Sequence, residues 1–353
     1  THTVACTDGT LLYCMGLQRG SGSSRILATG GSAFRAVIVW DASPPAADQP
    51  SISHRPPLML LTGHDGAVFR AVPSPCGQWI ATASDDRRVM VWGMALSSST
   101  DVQPPSPPSS LPLASWFAHG ARVWDVAFVQ SATLSGLVLA SVGEDALVRL
   151  WRVSVTSQGG ASEASVTMLC SLRGHEGKHV WCVAAVRTLS EGAHSEGDVM
   201  MASGGADGSV RLWPIEQYLR GEHAPSQSES VGHSKSERLP ESQTAAAVLP
   251  GDGDAIRAIC MLDDSCAIAA TAGGCVWAMA INGPHADSDR PSSSRLLHVE
   301  AGARWSKLHA ASSDEGGRVH VLVGGASGEA LLLSLDRLAI GELLCKVGDV
   351  DDD

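Results

Sequence analysis

The chain has 353 residues, 44% apolar and 18% charged, which fits one large globular domain or two ordinary ones and excludes a disordered chain. Its formal net charge of −12 excludes a general basic surface for nucleic acid, so any basic patch has to be local, and only four of the 25 basic residues are lysines. No apolar run approaches the ~20 residues that a membrane-spanning helix needs.

Residues 4–17 read as two strands around the Asp8-Gly9 turn. Residue 1 is Thr and the strand pattern starts at once, so an N-terminal piece is expected to be missing. "ILATGGSAFRAVIVW" follows and ends at Trp40. Three segments then align with one another. They are "GHDGAVFRAV…WIATASDDRRVMVW" ending at Trp92, "AHGARVWDVAF…VLASVGEDALVRLW" ending at Trp151, and "GHEGKHVWCVAA…VMMASGGADGSVRLW" ending at Trp213. Each opens on a His (His64, His119, His175). Each has a Ser or Thr ten residues before its Trp (Thr82, Ser141, Ser203) and an Asp six before it (Asp86, Asp145, Asp207). Agreement at four positions in three copies marks a repeat fold. Two weaker units close the chain, one with a Gly-Gly turn and a strand through Trp277 ending near Ile281, the other with Ser327-Gly328 at its turn and ending near Leu335.

The four shared positions resemble the WD-repeat β-propellers. That resemblance implies an all-β fold of four-stranded blades in which His, Ser/Thr, Asp and Trp form a hydrogen-bonded relay inside the blade. Such a relay satisfies polar atoms that burial would otherwise strand. A Ser-His-Asp set repeated at fixed spacing is a fold device and not a hydrolase site. Counting the opening strands, about seven blade-like units are expected over 1–345, with the unit before Trp40 carrying Phe34 in place of the turn Asp. Residues 216–244 are expected as a flexible insertion and 346–353 as an acidic tail or linker.

Spacing between blade tryptophans is 52 (Trp40 to Trp92), 59 (Trp92 to Trp151) and 62 (Trp151 to Trp213), longer than the ~40–45 of a plain repeat. The surplus lies in Ser-, Pro- and Gly-rich stretches at 43–57, 97–110, 157–165, 190–198 and 220–243, read as loops. In an up-and-down blade all of these project from one face, which leaves the other face with tight turns only.

On that clear face, aligning the first strand of each unit puts Phe69, Trp124, Trp181 and Arg257 at one position, directly after Val68, Val123, Val180 and Ile256. Trp305 falls there or one place away. Basic residues stand next to it: Arg122, Lys178, His179 and Arg304. Arg122, Trp124, Lys178, His179, Trp181, Arg257 and Arg304 form the candidate face for RNA or a protein partner, because aromatic and cationic side chains stack on bases, pair with phosphates and dominate protein interfaces.

The ordered set from "LATGGSAFRAVIVW" through "GHEGKHVWCVAA", residues 26–213, is similar to the family of WD repeat-containing protein 6. That family supplies the non-catalytic partners of an FtsJ-type tRNA 2′-O-ribose methyltransferase acting on the wobble nucleotide. The resemblance implies an FtsJ-type methyltransferase as partner, tRNA as a second one, and a place as the first propeller of a longer protein. The alternative is a protein-only adaptor, in a ubiquitin ligase or a signalling assembly. The sequence holds no Gly-rich strand-to-helix fingerprint, no HExxH and no CxxC, so neither cofactor nor metal nor intrinsic catalysis is expected. The nine cysteines are read as buried thiols of a reducing compartment, with the cytoplasm as the expected location.

Overall fold

The computed structural model describes residues 12–19, 25–31, 35–41, 57–94, 109–129, 136–158, 161–177, 179–187, 199–220, 245–248, 254–262, 266–280, 293–298, 305–311, 318–325 and 330–336. Among these, nearly all regular structure is short β-strand in small, mainly antiparallel sheets, the arrangement expected of propeller blades. Two compact units emerge: Thr1–Phe128 with Arg152–Thr167, and Val129–Trp151 with Met168–Asp353.

The first unit opens with β1 (Leu12–Arg19), β2 (Arg25–Gly31), β3 (Ala36–Asp41) and β4 (Met59–Thr62), paired in chain order. Thus β1 and the Trp40 segment belong to one blade, where the sequence pattern counted two units. The next blade runs β5 (Val68–Pro73), β6 (Trp79–Ser84), β7 (Arg88–Gly93). A two-residue strand β8 (Ser109–Ser110) then returns to pair in parallel with β4, and β9 (Ala114–Phe117) completes the second blade beside β7. The insertion 97–110, expected as loop, therefore ends in strand.

The following sheet consists of β10 (Val123–Val129), β11 (Leu137–Gly143), β12 (Leu147–Gln158) and β13 (Ala161–Arg173), in that order. Its last two strands are 12 and 13 residues long and absorb most of 157–165, which composition had assigned to a loop. Hydrogen-bonded pairing outweighs weak intrinsic preference in such a hairpin.

In the second unit, β14 (Val180–Arg187), β15 (Val199–Gly205) and β16 (Ser209–Pro214) are followed by a five-residue helix, α1 (Glu216–Arg220), and by β17 (Ala245–Val248) on the sheet edge. The first five residues of the stretch expected as a flexible insertion form α1, which buries Tyr218 and Leu219; 221–244 lie outside the described residues. The next sheet is β18 (Ile256–Met261), β19 (Cys266–Thr271), β20 (Cys275–Ala280) and β21 (Ser293–His298). The last is β22 (Trp305–Ala311), β23 (Arg318–Gly325) and β24 (Ala330–Asp336).

Middle strands are buried on both faces, β19 at every residue, because each sheet is covered by neighbours on either side. This explains their continuous Ala/Val/Ile runs. In the first unit Val37, Val39 and Leu61 of one sheet pack on Val68, Ile80 and Trp92 of the next. In the second, Leu212 and Val210 pack on Ile256, Ala269 and Met279, and Val276 and Ile268 pack on Val321 and Val323. Trp92 and Trp213 are fully buried, each removing roughly 200 Å² from water, worth about 5 kcal/mol before entropy is charged against it.

Candidate partner-binding interface

The polar device inside the blades comes first, because it fixes the backbone on which the interface stands. In the second blade Trp92 Nε1–H donates to Thr82 Oγ1 at 3.1 Å, Thr82 Oγ1 meets His64 Nε2 at 2.7 Å, and His64 Nδ1 meets Asp86 Oδ2 at 2.7 Å. The same chain runs through Trp213, Ser203, His175 and Asp207 at 2.8, 2.8 and 3.0 Å. With Nδ1–H donating to the carboxylate, the hydroxyl donates into Nε2 and accepts the indole proton, so every buried atom is satisfied in one direction. Between these, Trp151 Nε1–H donates to Ser141 Oγ at 2.8 Å, Asp145 pairs with Arg149 at 3.0 Å, and His119 is buried.

Each turn carboxylate also accepts backbone N–H groups. Asp86 takes those of Asp65 and Arg88 at 2.9 Å each, and Asp207 those of Glu176 and Ser209 at 2.9 and 3.1 Å. Burial pushes both carboxyls up. The hydrogen bond and charge of His64 or His175, together with these N–H groups, outweigh it and hold both below the usual carboxylate range. The residue after the turn Asp adopts a left-handed conformation: Arg87 at φ 71°, Ala146 at 61°, Gly208 at 73°, with Arg35 and Gly274 at 47° and 96° in the corresponding places. From the turn, the amides of Asp85, Ala206 and Ala272 donate to the carbonyls of Ala67, His179 and Ala255 at 2.9 Å each. The start of the first strand is thereby clipped to the turn.

Immediately beyond this clip the ladder skips one residue. Val68 faces Ser84 while Arg70 faces Ala83, so Phe69 is the extra residue of a β-bulge. Trp181 and Arg257 are the extra residues between Val180 and Cys182 and between Ile256 and Ala258. Tyr13 and Ser306 hold the same position in β1 and β22. The position that aligned in the sequence is thus a repeated bulge, a device that re-aims a side chain. The β22 register settles where Trp305 stands: it occupies the place of the buried valines, one before the bulge.

The side chains aligned at this position meet across neighbouring sheets. Phe69 and Trp124 have ring centroids 4.7 Å apart. Arg257 holds its guanidinium 3.8 Å from the Trp181 ring centre, and His179 stacks on the same indole at 4.7 Å and 11°. All five are half-buried. His179 is itself left-handed at φ 64°, which no β-rich sequence pattern announces. Burial pushes the Arg257 guanidinium below its usual range, opposed by the nearby Cys182 thiol; it remains a cation at neutral pH. Among the described residues no carboxylate pairs with it.

Arg122 stands differently. Its Nε lies 2.6 Å from Asp85 Oδ1, and its guanidinium sits 5.9 Å from the Trp124 ring centre. That partner comes from the preceding repeat and was not legible in the sequence. Arg70, which sequence reasoning passed over, pairs with the buried Asp125 at 3.0 Å. Lys178 and Arg304 lie outside the described residues. Among the described residues no cluster of three or more potential metal ligands occurs, and no helix is long and apolar enough to cross a membrane.

The profile of the WD domain, G-beta repeat, matches residues 55–93, 110–152 and 166–214. Over 212 residues the chain is 26% identical to the tRNA (34-2'-O)-methyltransferase regulator WDR6 of Homo sapiens, covering 60% of this chain and 16% of that protein. The regulator of the same name from Drosophila melanogaster is 29% identical over 151 residues, 42% of this chain and 14% of its own length. The matched part therefore spans about a sixth of the length of these relatives.

Proposed function

The chain is a WD-repeat β-propeller protein, and from that premise we propose that it is a non-catalytic scaffold supporting 2′-O-ribose methylation of tRNA nucleotide 34. It does so by binding an FtsJ-type methyltransferase, the tRNA, or both. The observation that carries this reading is the similarity to tRNA (34-2'-O)-methyltransferase regulators over 212 residues, in a chain with three matched WD repeats. The bulge face supplies the contact. Trp181 and Arg257 join a flat apolar surface to a cation that has no carboxylate of its own among the described residues, suited to a phosphate or carboxylate brought by the partner.

The test uses the whole protein in its own cells, with Trp181→Ala and Arg257→Glu introduced together. Methylation at nucleotide 34, read by mass spectrometry of tRNA digests, should fall several-fold while protein level and melting temperature hold. Unchanged methylation on full depletion of the protein would reject the tRNA reading. Unchanged methylation in the double variant alone would remove this face. Recovery of ubiquitin-ligase or signalling partners without methyltransferase or tRNA would favour a protein-only adaptor.

A further inference from the structure

A second surface lies at the outer edge of the second blade. Phe117, the last residue of β9, is 57% exposed. In the ladder it faces Arg88, whose guanidinium sits 4.0 Å from the Phe117 ring centre and donates to Ser115 Oγ at 3.1 Å. The exposed Arg87 lies 5.4 Å from the same ring centre. The two carboxylates of this turn are engaged elsewhere, Asp85 by Arg122 and Asp86 by His64. Among the described residues, neither Arg87 nor Arg88 has a carboxylate partner. The turn asks Arg87 only for a positive φ, which glycine supplies without strain at the matching Gly208 and Gly274. A long cation held there at a conformational cost calls for a use.

We propose that Arg87, Arg88 and Phe117, with the open edge of β9, form a docking site for an extended acidic segment of a partner protein. β9 ends its sheet, and among the described strands none lies beyond it. Such an edge presents alternating backbone N–H and C=O groups. A peptide backbone matches both kinds in a strand-addition mode. A phosphodiester backbone offers acceptors but no amide donors, so nucleic acid leaves the edge carbonyls unsatisfied. Carboxylates on alternate residues of the added strand then reach the guanidiniums, while an apolar neighbour covers the Phe117 ring. In a chain of net charge −12 an acidic segment needs a local cluster of cations, which this pair supplies. This inference does not depend on the tRNA reading.

A photo-crosslinking amino acid at Ser115 in the full chain, activated in its own cells and followed by mass spectrometry, tests it. The expected adduct is a protein segment carrying several carboxylates within about seven residues. Arg87→Glu with Arg88→Glu should lower its yield at least ten-fold, and changing two of the segment's acids to Lys should restore it. Arg87→Gly, which fits the turn, should lower the yield several-fold with the melting temperature unchanged or raised. No adduct, an adduct on RNA, an adduct on a segment without carboxylates, or a yield indifferent to the arginine variants overturns the proposal.

Discussion

Ser203→Ala is the sharpest probe of the blade interior. The side chain is fully buried, and its single oxygen serves two partners at 2.8 Å each, the indole N–H of Trp213 and Nε2 of His175. Alanine keeps the backbone and leaves both buried groups without this oxygen. Each orphaned group costs about 1–3 kcal/mol, so the pair costs about 4. Relief from burying the hydroxyl returns about 1, leaving a loss of about 3 kcal/mol. Urea unfolding followed by tryptophan fluorescence reads this as a fall in midpoint at constant slope. Adding Trp213→Phe removes one orphan, so the two losses should fall short of additive by about 1–2 kcal/mol. A loss below about 1 kcal/mol, or strict additivity, would show that the relay is not the polar anchor that its distances describe.

Two further outcomes follow from the same turns. Asp86 and Asp207 have carboxyl pKa values held below the ordinary value of about 4, so their contribution is complete above that value and is lost as pH falls through the folded-state pKa. Stability measured by denaturant titration should be flat from about pH 5 to 7 and decline below about pH 4. Asp207→Asn should be less stable at pH 7, with the gap narrowing in acid; a gap independent of pH would refute the linkage. Ala146 sits at φ 61° where Gly208 sits at 73°. Ala146→Gly should therefore raise stability by about 0.5–1 kcal/mol and Gly208→Ala should lower it by about 1, read as opposite shifts in melting temperature.

The repeat was legible because its side chains are chemically demanding. A buried indole N–H needs an acceptor, the acceptor needs His, and His needs Asp, so four residue types recur at fixed spacing. The left-handed turn position was not legible, because glycine marks it only at Gly208 and Gly274 while Arg35, Arg87 and Ala146 accept the strain. The aligned row Phe69, Trp124, Trp181, Arg257 stood out in the sequence, but the bulge at Phe69, Trp181 and Arg257 did not, since a skipped residue leaves composition untouched. Pairings between repeats were hidden for a plainer reason. Arg122 reaches Asp85 37 residues back, and Arg88 meets Phe117 only through the β7–β9 register. Insertions misled in the other direction: the polar stretches at 157–158, 161–165 and 109–110 proved to be strand once a partner strand lay beside them.

The relay, the left-handed turn and the bulge act as one device. The relay holds the turn carboxylate, the carboxylate holds the backbone on either side, and the turn amide clips the start of the first strand. At that start, Val68, Val123, Val180 and Ile256 are each aliphatic and fully buried, while Trp305 stands there in β22. The next residue lies on a backbone just as firmly held, and its half-buried side chain reaches the matching residue of a neighbouring sheet. It is Phe69, Trp181 or Arg257 at the three bulges, so its chemistry differs from repeat to repeat. A position with fixed geometry and varied chemistry is where recognition can be written at little cost to stability. Exchanging Trp181 for Arg and Arg257 for Trp should therefore leave the unfolding midpoint nearly unchanged while altering partner binding. A fall in stability as large as that of Ser203→Ala would instead place these residues in the core and remove the interface.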